Sequence, residues 1–150
     1  MKRIAIFLMS VLATLVVIGA GAAVADEGGG MVAGAGTGLF PAGAVFAGIS
    51  LGGLDFGQGV LTAPDGTATG TFHAVLQGGS LVTVEGTVTT GAVAGTAIFG
   101  GTATVNLGDG TLPLTGLPFQ VAVSPDGLQL TLDGALLPTV ALSAGAIAIE

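Results

Sequence analysis

One histidine, nine carboxylates and a scatter of threonine hydroxyls are the groups in this 150-residue sequence that could do chemistry. Nucleophilic catalysis needs a base within reach of an activated hydroxyl or thiol. His73 is the only imidazole and there is no cysteine. It sits between Phe72 and Ala74, with Thr71 and Val75 as same-face neighbours, and no G-x-S-x-G motif accompanies it. It reads as a strand histidine, at the surface or partly buried. One histidine without cysteine also leaves zinc without a ligand set.

The carboxylates fare no better as a catalytic group. Asp65, Asp109 and Asp126 each precede a glycine. Calcium takes Asp and carbonyl ligands, but an EF-hand loop places acids at alternate positions and closes on a Glu, a pattern absent here. Asp-Gly pairs of this kind are turn residues first. The order Asp-Gly-Thr at Asp65 and Asp109 is not the Asp-Thr-Gly of acid proteases, and no Trp or Tyr offers a sugar platform. No catalytic, cofactor-binding or metal-binding residue is assigned, no cofactor is expected, and the chain is read as not an enzyme. The threonines suggest one sharper idea. Thr67, Thr69 and Thr71, then Thr87 and Thr89, then Thr102 and Thr104 could align as a flat Thr-x-Thr array of the kind some ice-binding proteins use. The plainer account is that a β-branched residue suits the outward face of a pleat.

These residues lie in a stretch, residues 67–107, where apolar and polar residues alternate with period 2, the mark of half-buried strands. Gly78-Gly79, Gly91, Gly95 and Gly100-Gly101 read as breaks in it. Residues 81–90 are the cleanest case, with Val82, Val84 and Val88 inward and Thr83, Glu85, Thr87 and Thr89 outward. Further runs put Gly70, Phe72, Ala74 and Leu76, then Ala103, Val105 and Leu107, then Phe119, Val121 and Val123, then Leu128, Leu130 and Leu132 each on a common face. Ala63-Pro64-Asp65-Gly66, Ser124-Pro125-Asp126-Gly127 and Gly108-Asp109-Gly110 are turns between such runs. Residues 42–51 read as the first strand and 54–62 as the second, with Leu54, Phe56 and Val60 apolar. Pro113 makes 111–116 an edge or loop. Residues 136–142, interrupted at Pro138, and 146–149 end the chain.

Upstream, Met1-Lys2-Arg3, an apolar run over 4–18 and Ala23-Val24-Ala25 form a tripartite secretory signal, with an uncleaved anchor as the alternative. Residues 1–25 are assigned as a helical signal peptide, 26–41 as a Gly-rich flexible lead-in and 42–150 as the domain. Lys2 and Arg3 are the only Lys and Arg, so the chain from Asp26 carries nine acids against none. Nothing there can neutralise phosphates, which excludes nucleic acid and anionic lipid as partners. Absent Trp and Tyr also argue against the aromatic girdles of an outer-membrane barrel. No stable membrane insertion is expected after cleavage.

Residues 70–149 resemble a set of uncharacterised secreted bacterial all-β proteins. The likeness rests on V-E-G-T-V-T at 84–89, G-T-A-T-V-N-L-G-D-G at 101–110 and L-P-F-Q-V-A-V at 117–123. It implies export and an all-β fold, and carries no site residue.

The fold expected is all-β, an antiparallel sandwich or small barrel of about 8–10 strands, since short alternating strands with frequent turns build these architectures. The function expected is a secreted, non-enzymatic domain with a structural or interaction role outside the cell or in a periplasm. Its partner is an extracellular one or a small apolar ligand. The alternative is a carrier of such ligands in a barrel cavity left by the many Ala, Gly and Val side chains.

Overall fold

The computed structural model describes residues 29–150; the signal assigned to 1–25 lies outside them. Ten strands follow one another: β1 (Gly30–Leu39), β2 (Val45–Phe46), β3 (Ile49–Thr62), β4 (Thr67–Gly78), β5 (Leu81–Ala94), β6 (Thr96–Asn106), β7 (Leu114–Ser124), β8 (Gly127–Leu132), β9 (Ala135–Leu136) and β10 (Val140–Ile149). Among the described residues no helix is long and apolar enough to cross a membrane.

The fold is all-β, one antiparallel sheet of ten strands. Hydrogen bonding runs β1-β10-β8-β7-β6-β5-β4-β3-β2, with β9 on β8. Because β1 also pairs with β3, from Gly30↔Thr62 to Leu39↔Gly53, the path returns on itself. Closure is uneven: β8 and β10 meet only at Val140↔Leu128 and Ala141↔Gly127, so the sheet is not a regular barrel.

Alternation decides what lies inside. Val82, Val84 and Val88 are at most 2% exposed, whereas Glu85, Thr87 and Thr89 face solvent. Of the sets expected on a common face, those of β7 and β8 and most of β4 and β6 are buried in one core, joined by Leu54, Phe56 and Val60 of β3, whereas Gly70 and Leu107 are only partly buried. At its centre the Phe72 and Phe119 rings stack with centroids 5.8 Å apart, and Phe99 tilts against Phe72 at 6.1 Å. Gly86 makes room for the Phe119 ring. A Cβ there would come within 2.6 Å of the Phe119 ring, so the missing side chain is the slot the ring fills.

Four expectations are corrected. The Gly-rich lead-in holds a strand, for β1 begins at Gly30 inside the 26–41 segment and is paired on both edges. Glycine costs backbone entropy in a strand, but here it permits close approach: a Cβ on Gly34 would sit 2.5 Å from the Ala146 carbonyl oxygen of β10. The first strand does not run from 42 to 51. Ala47 (φ 50°) and Gly48 (φ 79°) form a two-residue turn that folds β2 back on β3, the left-handed conformation that tight hairpins require. Gly91 and Gly100-Gly101 interrupt nothing, since β5 and β6 run through them. The final segments at 136–142 and 146–149 are also drawn differently. Pro138 separates β9 from β10, and β10 then continues to Ile149 past a register shift opposite Thr37 and Gly38.

Three turn motifs sit between strands as expected, at 63–66, 108–110 and 124–127. A further Asp-Gly pair, Asp133 (φ 49°) and Gly134 (φ 82°), turns β8 into β9.

Candidate functional site

Strands β4, β5 and β6 carry the chemically active side chains on their outer face, because the inner face is spent on the core. Register places Thr71 opposite Thr87, and Thr87 opposite Thr102, in one row across three strands. Neighbouring strands lie about 4.8 Å apart, so these hydroxyls form a short regular line. The next row is His73, Glu85 and Thr104. Thr67, Thr69 and Thr89 fall out of line because the pairing shifts between Thr67 and Gly70 and again between Val88 and Thr90. The array expected from the sequence is therefore one row of three threonines beside an ionisable pair.

That pair gives Glu85 a basic neighbour although the chain from Asp26 lacks Lys and Arg: His73 Nδ1 stands 3.4 Å from Glu85 Oε2, across the β4–β5 ladder. Both side chains are open to water, at 51% and 69% exposure. Water and salt screen such contacts, so the pair contributes little to stability. An imidazole held by a carboxylate can accept or donate a proton, but the outer surface of a sheet offers no walls to hold a substrate against it.

The Asp-Gly carboxylates are employed locally. Asp65 Oδ1 accepts hydrogen bonds from the Thr67 amide (2.9 Å) and the Thr67 hydroxyl (2.7 Å). Asp109 Oδ1 does the same with Thr111, at 3.0 and 2.5 Å. The hydroxyl bond, and after it the amide bond, holds each carboxyl below its ordinary value of 3.8, because both favour the charged form. At the third turn Asp126 instead donates its amide to Ser124 Oγ at 3.4 Å. Among the described residues no three acidic or imidazole groups converge.

A pH dependence follows. Since the folded value lies below the unfolded one, each turn's contribution is present above about pH 3.8 and is lost as pH falls through the lower folded value. Thr67→Val removes the hydroxyl and keeps the amide. In an NMR carboxyl titration it should raise the Asp65 midpoint towards 3.8 and leave Asp109 in place; an unmoved Asp65 would show that the hydroxyl bond does not form in solution.

One interior side chain escaped the sequence reading. Gln58 is only 8% exposed, and neither its amide oxygen nor its nitrogen has a hydrogen-bond partner among the described residues. It shares the inward face of β3 with Leu54, Phe56 and Val60. Two-residue spacing from Phe56 and Val60 was the available signal, hidden by the Gly residues on either side. An orphaned buried amide costs about 1–3 kcal/mol.

At one end of the sheet an open, mainly apolar groove of about 310 Å³ is lined by Val45, Phe46, Leu114, Leu136 and Leu137, among others, with Asp133 as its charged member. Leu136 is 67% exposed there. Comparison of the chain with protein-family models, curated proteins and solved structures finds no match.

Proposed function

We propose that this is a secreted, non-enzymatic β domain with a structural or interaction role outside the cell or in a periplasm. The observation that carries it is the division of labour between the two sides of the sheet. Apart from Gln58 the inside is hydrocarbon around Phe72, Phe99 and Phe119, while ionisable groups cap turns or, as with His73 and Glu85, stand on open outer surface. Catalysis calls for groups with shifted pKa values gathered in a cleft, whereas a packed, low-charge sheet suits display of a surface. The circuit of pairings supports reading the architecture as a small, unevenly closed barrel. The signal at 1–25 supports export, and the absence of Lys and Arg after Arg3 argues against nucleic-acid and anionic-membrane partners.

The second reading, a carrier of small apolar ligands, is favoured by the groove at Leu136, since barrel mouths are common ligand sites and its volume reaches the lower end of the usual range. Native mass spectrometry of protein recovered from an exporting host separates the two. The leading reading expects a chain starting at Asp26 with nothing bound. An intact Met1 would overturn cleavage after Ala25 and favour the uncleaved anchor. A co-purifying apolar molecule that Leu136→Asp abolishes would replace the leading reading with the carrier.

A further inference from the structure

We propose that the protein pairs with a second copy of itself through the open edge of β10. The uneven closure of the sheet creates that edge. β8 accompanies β10 only at Val140 and Ala141, and the Leu142 amide makes one more bond, to the Asp126 carbonyl. From residue 143 to 149, β10 has β1 on one side and no strand on the other among the described residues.

The hydrogen-bond phase fixes which backbone groups point away from β1. Glu150 exchanges both backbone bonds with Met31, at 2.7 and 2.9 Å. In an antiparallel ladder these exchanging pairs alternate with pairs whose backbone groups point away. Ala148 and Ala146 therefore bond to β1, while the N–H and C=O of Ile149, Ile147 and Gly145 face the open side. Unpaired backbone groups in a row are a template for another strand.

The occupant is argued from symmetry and charge. An antiparallel two-fold pairing centred on Ile147 sets Ile147 against its own copy and Ile149 against Gly145, which satisfies every outward-facing group of that stretch. The outer side chains there, Ala146 and Ala148, are small and exposed, so nothing bulky blocks approach. They meet each other across the two-fold axis. Glu150 falls opposite Ala144, so no two Glu or Asp side chains are juxtaposed, although the chain beyond Arg3 has no Lys or Arg. Lysines, prolines and inward charges are what usually guard such an edge, and residues 140–149 contain none. This pairing does not depend on whether the domain displays a surface or carries a ligand.

Sedimentation across a concentration series tests it, on purified protein whose processed N-terminus is checked by mass spectrometry. The wild-type chain is expected to show a monomer–dimer equilibrium. Ala146→Lys with Ala148→Lys sets lysine against lysine twice at the symmetric contact and should weaken the dimer roughly tenfold or more. The same double change lowers the net negative charge, so general repulsion between copies cannot explain the loss. Ala146→Lys with Ala148→Glu sets opposite charges against each other and should keep the dimer. A wild-type chain that stays monomeric throughout would overturn the proposal. So would a dimer indifferent to both double variants, and unchanged far-UV circular dichroism in all of them excludes misfolding as the cause.

Discussion

Val84→Asp should leave the domain largely unfolded under conditions where the wild type is native. Val84 is fully buried in β5, between Ala74 of β4 and Val105 of β6, each also 0% exposed. A carboxylate there is enclosed by hydrocarbon, with no cationic side chain among the buried described residues. Burying it unpaired costs several kcal/mol, and forcing it neutral costs part of the same sum. Domains of this size are stable by only about 5–15 kcal/mol. One residue along, Glu85→Ala removes an exposed, screened contact with His73 and should cost less than about 0.5 kcal/mol. Denaturant melts of the two variants check the contrast. If Glu85→Ala were the more damaging change, the inward and outward faces of β5 would have to be exchanged.

A comparably large loss is expected at the aromatic centre. Phe119→Ala removes a ring that stacks on Phe72 and fills the slot over Gly86, and should cost about 3–5 kcal/mol. Gly86→Ala pushes a methyl into that ring from β5, with β6 lying between it and β7. Overpacking of this kind costs about 1–3 kcal/mol where neighbours cannot give way. The two changes answer each other, so Gly86→Ala should cost far less in the Phe119→Ala background than alone. A double-mutant cycle from urea unfolding measures the coupling. Strictly additive effects would mean that ring and glycine do not share the same space.

Much of this core was legible because period 2 is set by the pleat and leaves a trace in every buried strand. The valines of β5 and the leucines of β8 could be placed without coordinates. What could not be read was governed by contacts far apart in sequence. The glycines of β1 discourage a strand locally, yet they admit the β10 backbone, whose residues come more than one hundred positions later. Opposition of His73 to Glu85 depends on ladder register, which the hairpin at 78–81 sets. The turn at Ala47-Gly48 was missed because alanine rarely adopts positive φ. Of the outer face, the threonines were legible as outward and their alignment was not. Two register shifts decided that only Thr71, Thr87 and Thr102 share a row.

The pairing of β1 with β10 also governs the order in which the chain can fold. Adjacent hairpins such as β4–β5 and β5–β6 join neighbours in sequence and can form while the rest is still extended. The seam from Val32↔Ile149 to Leu39↔Ala141 joins the two extremes of the domain. Bringing such distant segments together costs loop-closure entropy before any contact rewards it, and topologies of this kind fold slowly. For a chain made amino end first, the last strand of the circuit is the last to arrive. Closure therefore waits for the whole domain to be made, and until then one edge of β1 stays unmatched.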